Sequence, residues 1–450
     1  MNEGTLALAA RDDSSTAVAS REAERILLAN GGELGLLGAR TAYQQVWARD
    51  SMICGLGLLL CSDPAGPEIH RRSLETLRRH QTPLGNIPHN VGLPGVADPA
   101  LIAHGGRLES DRPGAPVCDT IHAGCVDGAL WYIVGHYYHH ALCGDRAFLE
   151  RAWESLERAL LWLRYQDPNE CGLLEVHEAM DWADLFVNRY NVLYDNVLYY
   201  AAWKCMAAMA DALGRPGDVF AAGAADVHRK LNALLWVGPE EPRDWEWIGT
   251  TRREWLYTLR RIETDLVERP FYLPYVAFRD YADRLDTLGN LLAILFGVAD
   301  RPRADKILDY IRGCGLDRPF PVRALYPAIN PGERDWRDYY RVRNLNLPHH
   351  YHNGGAWPFI GALYVAALVQ AGRQQEARAQ LERLTEMNRR GKTREWGFNE
   401  WFHGLSGRPM GYDCQSWSAA LYLFALDCVE CGRVRVFNAD YGWTVEENAT

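Results

Sequence analysis

Several absences narrow the field before any residue is singled out. No basic segment followed by an apolar stretch opens the chain, so a secretory leader is not expected, and no uninterrupted apolar run is long enough to cross a bilayer. The motifs GxSxG, GxxxxGK[ST] and GxGxxG are missing. That removes the motif-level support for a serine hydrolase, a nucleotide site or a dinucleotide site. Cys428-Val-Glu-Cys431 is a lone CxxC with no second pair, and no metal or cofactor is expected from it. The 11 cysteines are odd in number and scattered, the pattern of reduced, buried thiols in a cytoplasmic protein. An excess of positive charge is also lacking. A formal charge of -10 argues against nucleic acid or an anionic membrane as partner.

What is present is apolar residue in quantity, 48% of the chain, enough for a large packed core. Nothing in the sequence marks a second domain, so one domain over residues 1–450 is expected, with 1–16 a flexible N-terminus. Period-3.6 patterning predicts about twelve helices. Those at 17–28, 67–80, 146–166, 216–235, 302–314 and 374–387 are amphipathic. They alternate with 52–60, 121–142, 192–213, 286–298, 355–371 and 415–430, which are apolar nearly all round. Helices with one polar face suit an outer ring, and helices apolar on every side suit an inner one. The expected architecture is therefore all-α, an (α/α)6 toroid of six helical hairpins. Short strands are expected at 254–259, 271–277 and 434–437, the last of which could join or cover an edge in a homo-oligomer. Asp50-Ser51 is expected to cap the second helix.

Six long loops, at 29–47, 81–120, 167–191, 236–285, 315–354 and 388–414, each lead from an amphipathic helix into an apolar one. In a toroid all six emerge at the same end, and loops carried by a rigid scaffold are where chemistry usually sits. The last loop holds Arg394-Glu-Trp-Gly-Phe-Asn-Glu-Trp-Phe-His-Gly404, which puts Glu400 between Trp396 and Trp401. Indoles offer flat apolar faces to pyranose C–H groups, and a carboxylate can polarise a water. Met180-Asp-Trp-Ala-Asp184 supplies Asp181 and Asp184 around Trp182. Of the two, Asp181 better fits a general acid whose pKa is raised by burial against an aromatic. Trp47-Ala-Arg-Asp50 offers Asp50 to sugar hydroxyls with Arg49 orienting it; the plainer alternative is a capping Asp beside a surface Arg. Asn191 and Asp195 repeat the polar-aromatic theme before the next apolar helix, and Arg284-Leu-Asp286 either does so or caps its helix. His349, His350 and His352 lack the carboxylate or thiol that would complete a metal set. His352-Asn353 reads better as polar donors on a glycine turn beside Trp357. His136, His139 and His140 share one helix end and read as structural.

In the order they occur, WARD, MDW, RLDTLGNLLAI, YHNGGAWP, NEW and QSW resemble the neutral/alkaline invertases and their bacterial relatives, over roughly residues 43–428. The WARD stretch is also similar to bacterial amylo-α-1,6-glucosidases. The resemblance implies an (α/α)6 glycoside hydrolase in which Asp181 is the general acid and Glu400 the second carboxylate. Two departures lie beside the sugar. Where invertases continue with an arginine pair and a Gly-His-Pro segment, this chain has Trp182-Ala-Asp-Leu-Phe. Where they read Trp-Pro-Glu-Tyr-Tyr, it has Phe398-Asn-Glu-Trp-Phe.

The expectation is inverting hydrolysis of a small α-glucoside such as sucrose, with carboxyl groups roughly 6.5–9.5 Å apart; retention would need a gap near 5 Å. Trp47, Trp182, Trp357 and Trp401 would stack on sugar. Arg49, Asp50, Asp184, Asn191, Asp195, His352, Asn353 and Gln415 would bind hydroxyls. The alternatives are an oligosaccharide α-glucosidase and, in another class, a sugar 2-epimerase using His122, His352 and His403 as acid and base. A sugar-binding protein without catalysis is a third.

Overall fold

Six helices stand side by side in a closed ring, each buried over most of its surface. The computed structural model describes residues 14–93, 117–118 (backbone), 125–238 and 243–437. The inner helices are α2 (Ala48–Leu58), α4 (Asp127–Cys143), α6 (Leu193–Leu213), α10 (Thr287–Leu295), α12 (Pro358–Gln370) and α14 (Ser416–Cys431). Each packs on the next, and α14 packs back on α2. The outer helices are α1 (Ser15–Asn30), α3 (Ala65–Arg79), α5 (Arg146–Arg164), α7 (Asp218–Leu235), α11 (Arg301–Gly313) and α13 (Gln374–Arg389). All thirteen residues of α12 are buried, whereas α13 buries a single stripe that includes Ala377, Leu381 and Leu384. The periodicity is thus explained by ring position: a helix with neighbours on every side has no face left to be polar. One apolar core runs from Ala19 to Phe437.

Two additional helices, α8 (Trp245–Thr251) and α9 (Arg253–Asp265), lie in the fourth long loop. The strand expected at 254–259 is therefore helix. Trp255, Leu259 and Ile262 are buried at helical spacing, so packing of that stripe outweighed the β-branched and aromatic content. Residues 434–437 form a turn, with no partner strand among the described residues. The structure also starts α2 earlier than expected, at Ala48. Its cap residue is Trp47, which makes no side-chain cap bond, and Asp50 lies in the first turn with no capping role. The expected flexible N-terminus, most of the loop 81–120, the first residues of the helix at 121–142 and His122 fall wholly or partly outside the described residues.

The strands are short, and they tie the long loops to one another at one end of the ring. β1 (Gln45–Trp47), β2 (Asn90–Gly92) and β3 (Val117–Cys118) form an antiparallel sheet joining the first two loops, with Trp47 opposite Asn90. β4 (Asn191–Val192), β5 (Tyr275–Ala277) and β6 (Asp280–Tyr281) join the third and fourth. β7 (Leu285–Asp286) pairs with β8 (Leu325–Tyr326). In the last loop β9 (Trp401–Phe402) pairs with β10 (Pro409–Met410), and Ala356 exchanges hydrogen bonds with Phe402. The circle closes where Ser416 N donates to Gly38 O and Asn30 Nδ2 donates to Cys414 O and Ser416 Oγ. The N-termini of the inner helices all start from this belt, so the positive ends of six helix dipoles converge on its centre.

Candidate active site

Asp181 and Glu400 both reach the belt, from the third and sixth loops. Asp181 is 1% exposed. Its Oδ1 accepts from Ala183 N at 2.7 Å and its Oδ2 from Asn188 Nδ2 at 3.2 Å. Burial pushes its pKa up to about 7, against the pull of those two donors. Glu400 is 4% exposed and accepts from Tyr43 Oη at 3.1 Å and from Tyr412 N at 3.3 Å. Burial also raises it to about 7, with the charges of Asp50 and Asp184 adding to the effect. Both are thus carboxyls that exchange a proton near neutrality, the property acid/base chemistry requires.

The backbone around each is held in unusual conformations. Ala179 and Tyr190 flank Asp181 with φ of 66° and 65°. Trp396 and Phe398, at 56° and 42°, precede Glu400. Left-handed conformations at non-glycine residues cost on the order of 1–3 kcal/mol each and cluster where function fixes geometry. Gly411, at φ +65°, has a role of its own: a Cβ there would lie 2.3 Å from Glu400 Oε2, so only glycine allows that strand to press against the carboxylate.

Arg49 is no surface residue. Buried, it donates from Nη1 to Asp127 Oδ2 at 2.7 Å and lies 3.6 Å from Asp50. Asp50 is drawn up to about 6, chiefly by burial. Asp184 pairs with His352 Nε2 at 3.3 Å, and burial lowers the pKa of that imidazole. Among the indoles, Trp182 meets His352 and Trp357 edge-on at 4.6 and 5.6 Å, Trp47 meets His89 at 5.0 Å, and Trp401 lies 5.8 Å from Tyr351. Asp286 is the N-cap of α10, accepting from Gly289 N, and is pushed up to about 7 by burial.

Two expected ligands are placed otherwise. Asn353 is fully buried. Its amide accepts from Ile329 N and donates to Ile329 O and Asn346 O, so it latches the loop and has no group left for a sugar. Trp357 is fully buried as well, stacked on His352 and donating to Tyr351 O; it backs the wall and does not face a ligand. Asp127 and Tyr43 were not singled out from the sequence. Asp127 has no aromatic neighbour in the sequence to mark it, and Tyr43 opens a stretch in which the indole and charges of WARD draw attention.

This region also holds a set of buried polar atoms without partners, as some other parts of the core do. Buried polar atoms are nearly always hydrogen-bonded. Here Trp47 Nε1, Trp182 Nε1, Trp417 Nε1, Asp127 Oδ1, Asn191 Oδ1, both oxygens of Asp195, His352 Nδ1 and Gln415 Nε2 are buried without a partner. They come from five of the six loop-to-inner-helix junctions. Donors and acceptors of this mixture are what a polyol satisfies.

The sequence profile described as alkaline and neutral invertase matches residues 278–430. The chain resembles the alkaline and neutral invertases. Alkaline/neutral invertase E, chloroplastic, of Arabidopsis thaliana is 35% identical over 334 residues, 67% of this chain and 51% of that protein. Neutral/alkaline invertase 1, mitochondrial, of Oryza sativa subsp. japonica is 30% identical over 352 residues, 70% of this chain and 53% of that one. The chain therefore spans about half the length of these invertases. In fold it is similar to a GH63 mannosylglycerate hydrolase of Thermus thermophilus in complex with glucose, with a TM-score of 0.64 and 17% identity, covering 90% of this chain and 99% of that one. A bacterial glucoamylase complexed with acarbose shares the fold at a TM-score of 0.59 and 12% identity, covering 94% of this chain and 57% of that one. The all-helical toroid is thus the fold of known glycosidases.

Proposed function

We propose that this chain is a glycoside hydrolase that cleaves the α-glucosidic bond of a small neutral glucoside, sucrose first among them, with inversion at the anomeric carbon. Asp181 protonates the glycosidic oxygen. Glu400 takes a proton from the water that attacks C1 from the opposite face. Trp47, Trp182 and Trp401 enclose the ring, and Asp50, Asp184, Asn191, Asp195, His352 and Gln415 bind its hydroxyls. The observation that carries this reading is the set of buried, unpartnered donors and acceptors around two carboxyls poised near pH 7. The invertase resemblance supports sucrose. The two loop departures argue for testing small α-glucosides and branched oligosaccharides beside it.

The epimerase alternative has less support. His403 accepts at Nδ1 from Leu405 N and Ser406 N in its own turn, and His352 pairs through Nε2 with Asp184. A cytoplasmic setting fits the free thiols of every cysteine whose side chain is described, none of which is disulfide-bonded. No helix among the described residues is long and apolar enough to cross a membrane. The deciding experiment is incubation with a panel of sucrose, isomaltose and branched dextrins, followed by NMR of the sugar first released. β-Glucose from an α-glucoside is expected. Release of α-glucose refutes inversion, and interconversion of a free monosaccharide with no second product refutes hydrolysis.

A further inference from the structure

Beside Arg49 the structure gathers three residues with soft and hard donor atoms from the second loop and the start of α4. These are a ring nitrogen of His89, Sγ of Cys125 and a carboxylate oxygen of Asp127, all buried and all within 4.8 Å of one another. Tetrahedral zinc with bonds of about 2.0–2.3 Å spaces its ligand atoms roughly 3.3–3.8 Å apart, so a small inward movement of these side chains completes a site. Asp127 is already oriented for it. Its Oδ2 is held by Arg49 Nη1 at 2.7 Å and by Tyr194 Oη at 3.2 Å, and Trp131 Nε1 donates to that tyrosine oxygen at 2.9 Å. Its Oδ1 is buried with no partner. A carboxylate bound through one oxygen and oriented through the other is the usual outer-shell arrangement at a metal. A thiol in the set selects a borderline-soft ion of the zinc class over magnesium or calcium.

We propose that His89, Cys125 and Asp127 bind one such divalent cation, next to the Arg49–Asp50 pair that the proposed function assigns to the sugar. Binding replaces the thiol proton: the Cys125 S–H bond breaks, an S–metal bond forms, and the proton leaves to solvent. The ion and the sugar then compete for the same space beside Arg49 and Asp50, so the cation is an inhibitor. This last step rests on the hydrolase reading; the ion site does not.

The test uses the reduced, chelator-treated full chain and Co2+ alone as probe. One equivalent should bind with a thiolate-to-cobalt charge-transfer absorption. Cys125→Ser should abolish the band, His89→Gln should weaken Co2+ binding by more than about tenfold, and Cys431→Ser should leave both unchanged. Zn2+ should displace the cobalt and raise the apparent KM for the hydrolysed glucoside in wild type but not in Cys125→Ser. Absence of the band, or its persistence in Cys125→Ser, overturns the site. Cobalt binding through Cys125 with no effect of Zn2+ on KM overturns the competition with the sugar. A chain that hydrolyses nothing fails the proposed function and leaves the cobalt result standing.

Discussion

Two groups of buried titratable side chains lie within the same ring of helices, and burial acts on them in opposite directions. At the belt of loops, Asp181, Glu400 and Asp286 are pushed up to about 7. Between α3 and α4, the imidazoles of His70, His136 and His139 are pushed down, His136 to about 3 and His139 to about 4. The cause is the same, since a buried site disfavours whichever form is charged. The surroundings are not. His70 Nδ1 and His139 Nδ1 are hydrogen-bonded at 3.0 Å, and His136 stacks on Phe148 at 5.5 Å with an interplanar angle of 7°. That cluster is closed by aromatic packing. The belt has left-handed backbone at its carboxylates and orphan polar atoms around them. Unpartnered buried atoms occur in both groups, His70 Nε2 and His136 Nε2 among them, so neither burial nor an orphan atom by itself marks a functional group; what the belt adds is donors and acceptors from five loop junctions together with two raised carboxyls.

The largest expected effect tests that distinction at the carboxylates. Asp181→Asn and Glu400→Gln should each lower turnover by roughly 10²–10⁴-fold or more in steady-state assays, with unchanged circular dichroism. Both should also raise stability at pH 8. The folded carboxyl keeps its proton up to about pH 7 while the unfolded one loses it near 4, so stability falls as pH rises through that window. Removing the ionisation should restore on the order of 2–4 kcal/mol, measured by denaturant melts at pH 5 and 8. Equal activity in either variant would break the comparison.

Gly411→Ala should follow, with a turnover loss of about a hundredfold from displacing Glu400 by an ångström or so. Its kcat should fall far more than its melting temperature suggests.

The histidine cluster should show only in stability. Unfolded imidazoles take up protons below about pH 6.5 that the folded cluster refuses, so stability present at pH 7 drains as pH falls toward 3. His136→Phe should flatten that acid limb by about 3 kcal/mol with turnover at pH 7 unaltered. A change in KM or kcat would place the cluster in the site after all.

Tyr43→Phe should have the smallest effect. The phenol donates to the charged form of Glu400, so its loss raises that pKa. The acid limb of a bell-shaped rate profile centred near pH 7 should move to higher pH, with only a few-fold loss at the optimum.

Much of this was legible in the chain. The alternation of all-apolar and one-sided helices is a direct consequence of ring position, and the six long loops followed from it. Asp181 and Glu400 stand out in the sequence as candidates because indoles neighbour them, and what the structure adds is their burial at the belt. Asp127 was not, because its role comes from Arg49, 78 residues away, and from no local pattern. Asn353 was misassigned because an amide on a glycine turn looks the same in sequence whether it binds a ligand or its own loop. Residues 254–259 misled because their aromatic and β-branched content suits a strand, while the decisive stripe of Trp255, Leu259 and Ile262 shows only when the window extends past Leu259.

The closing contact of the ring has a consequence for how this protein is made. Tyr43 and Glu400 are 357 residues apart, and α14 must dock between α12 and α2 before they can meet. A ribosome-held chain that has emitted Asp181 has no partner carboxylate, and its first helices wait with apolar flanks exposed until the last one arrives. On the proposed function, activity would appear only once the segment carrying Glu400 has joined the ring beside Tyr43.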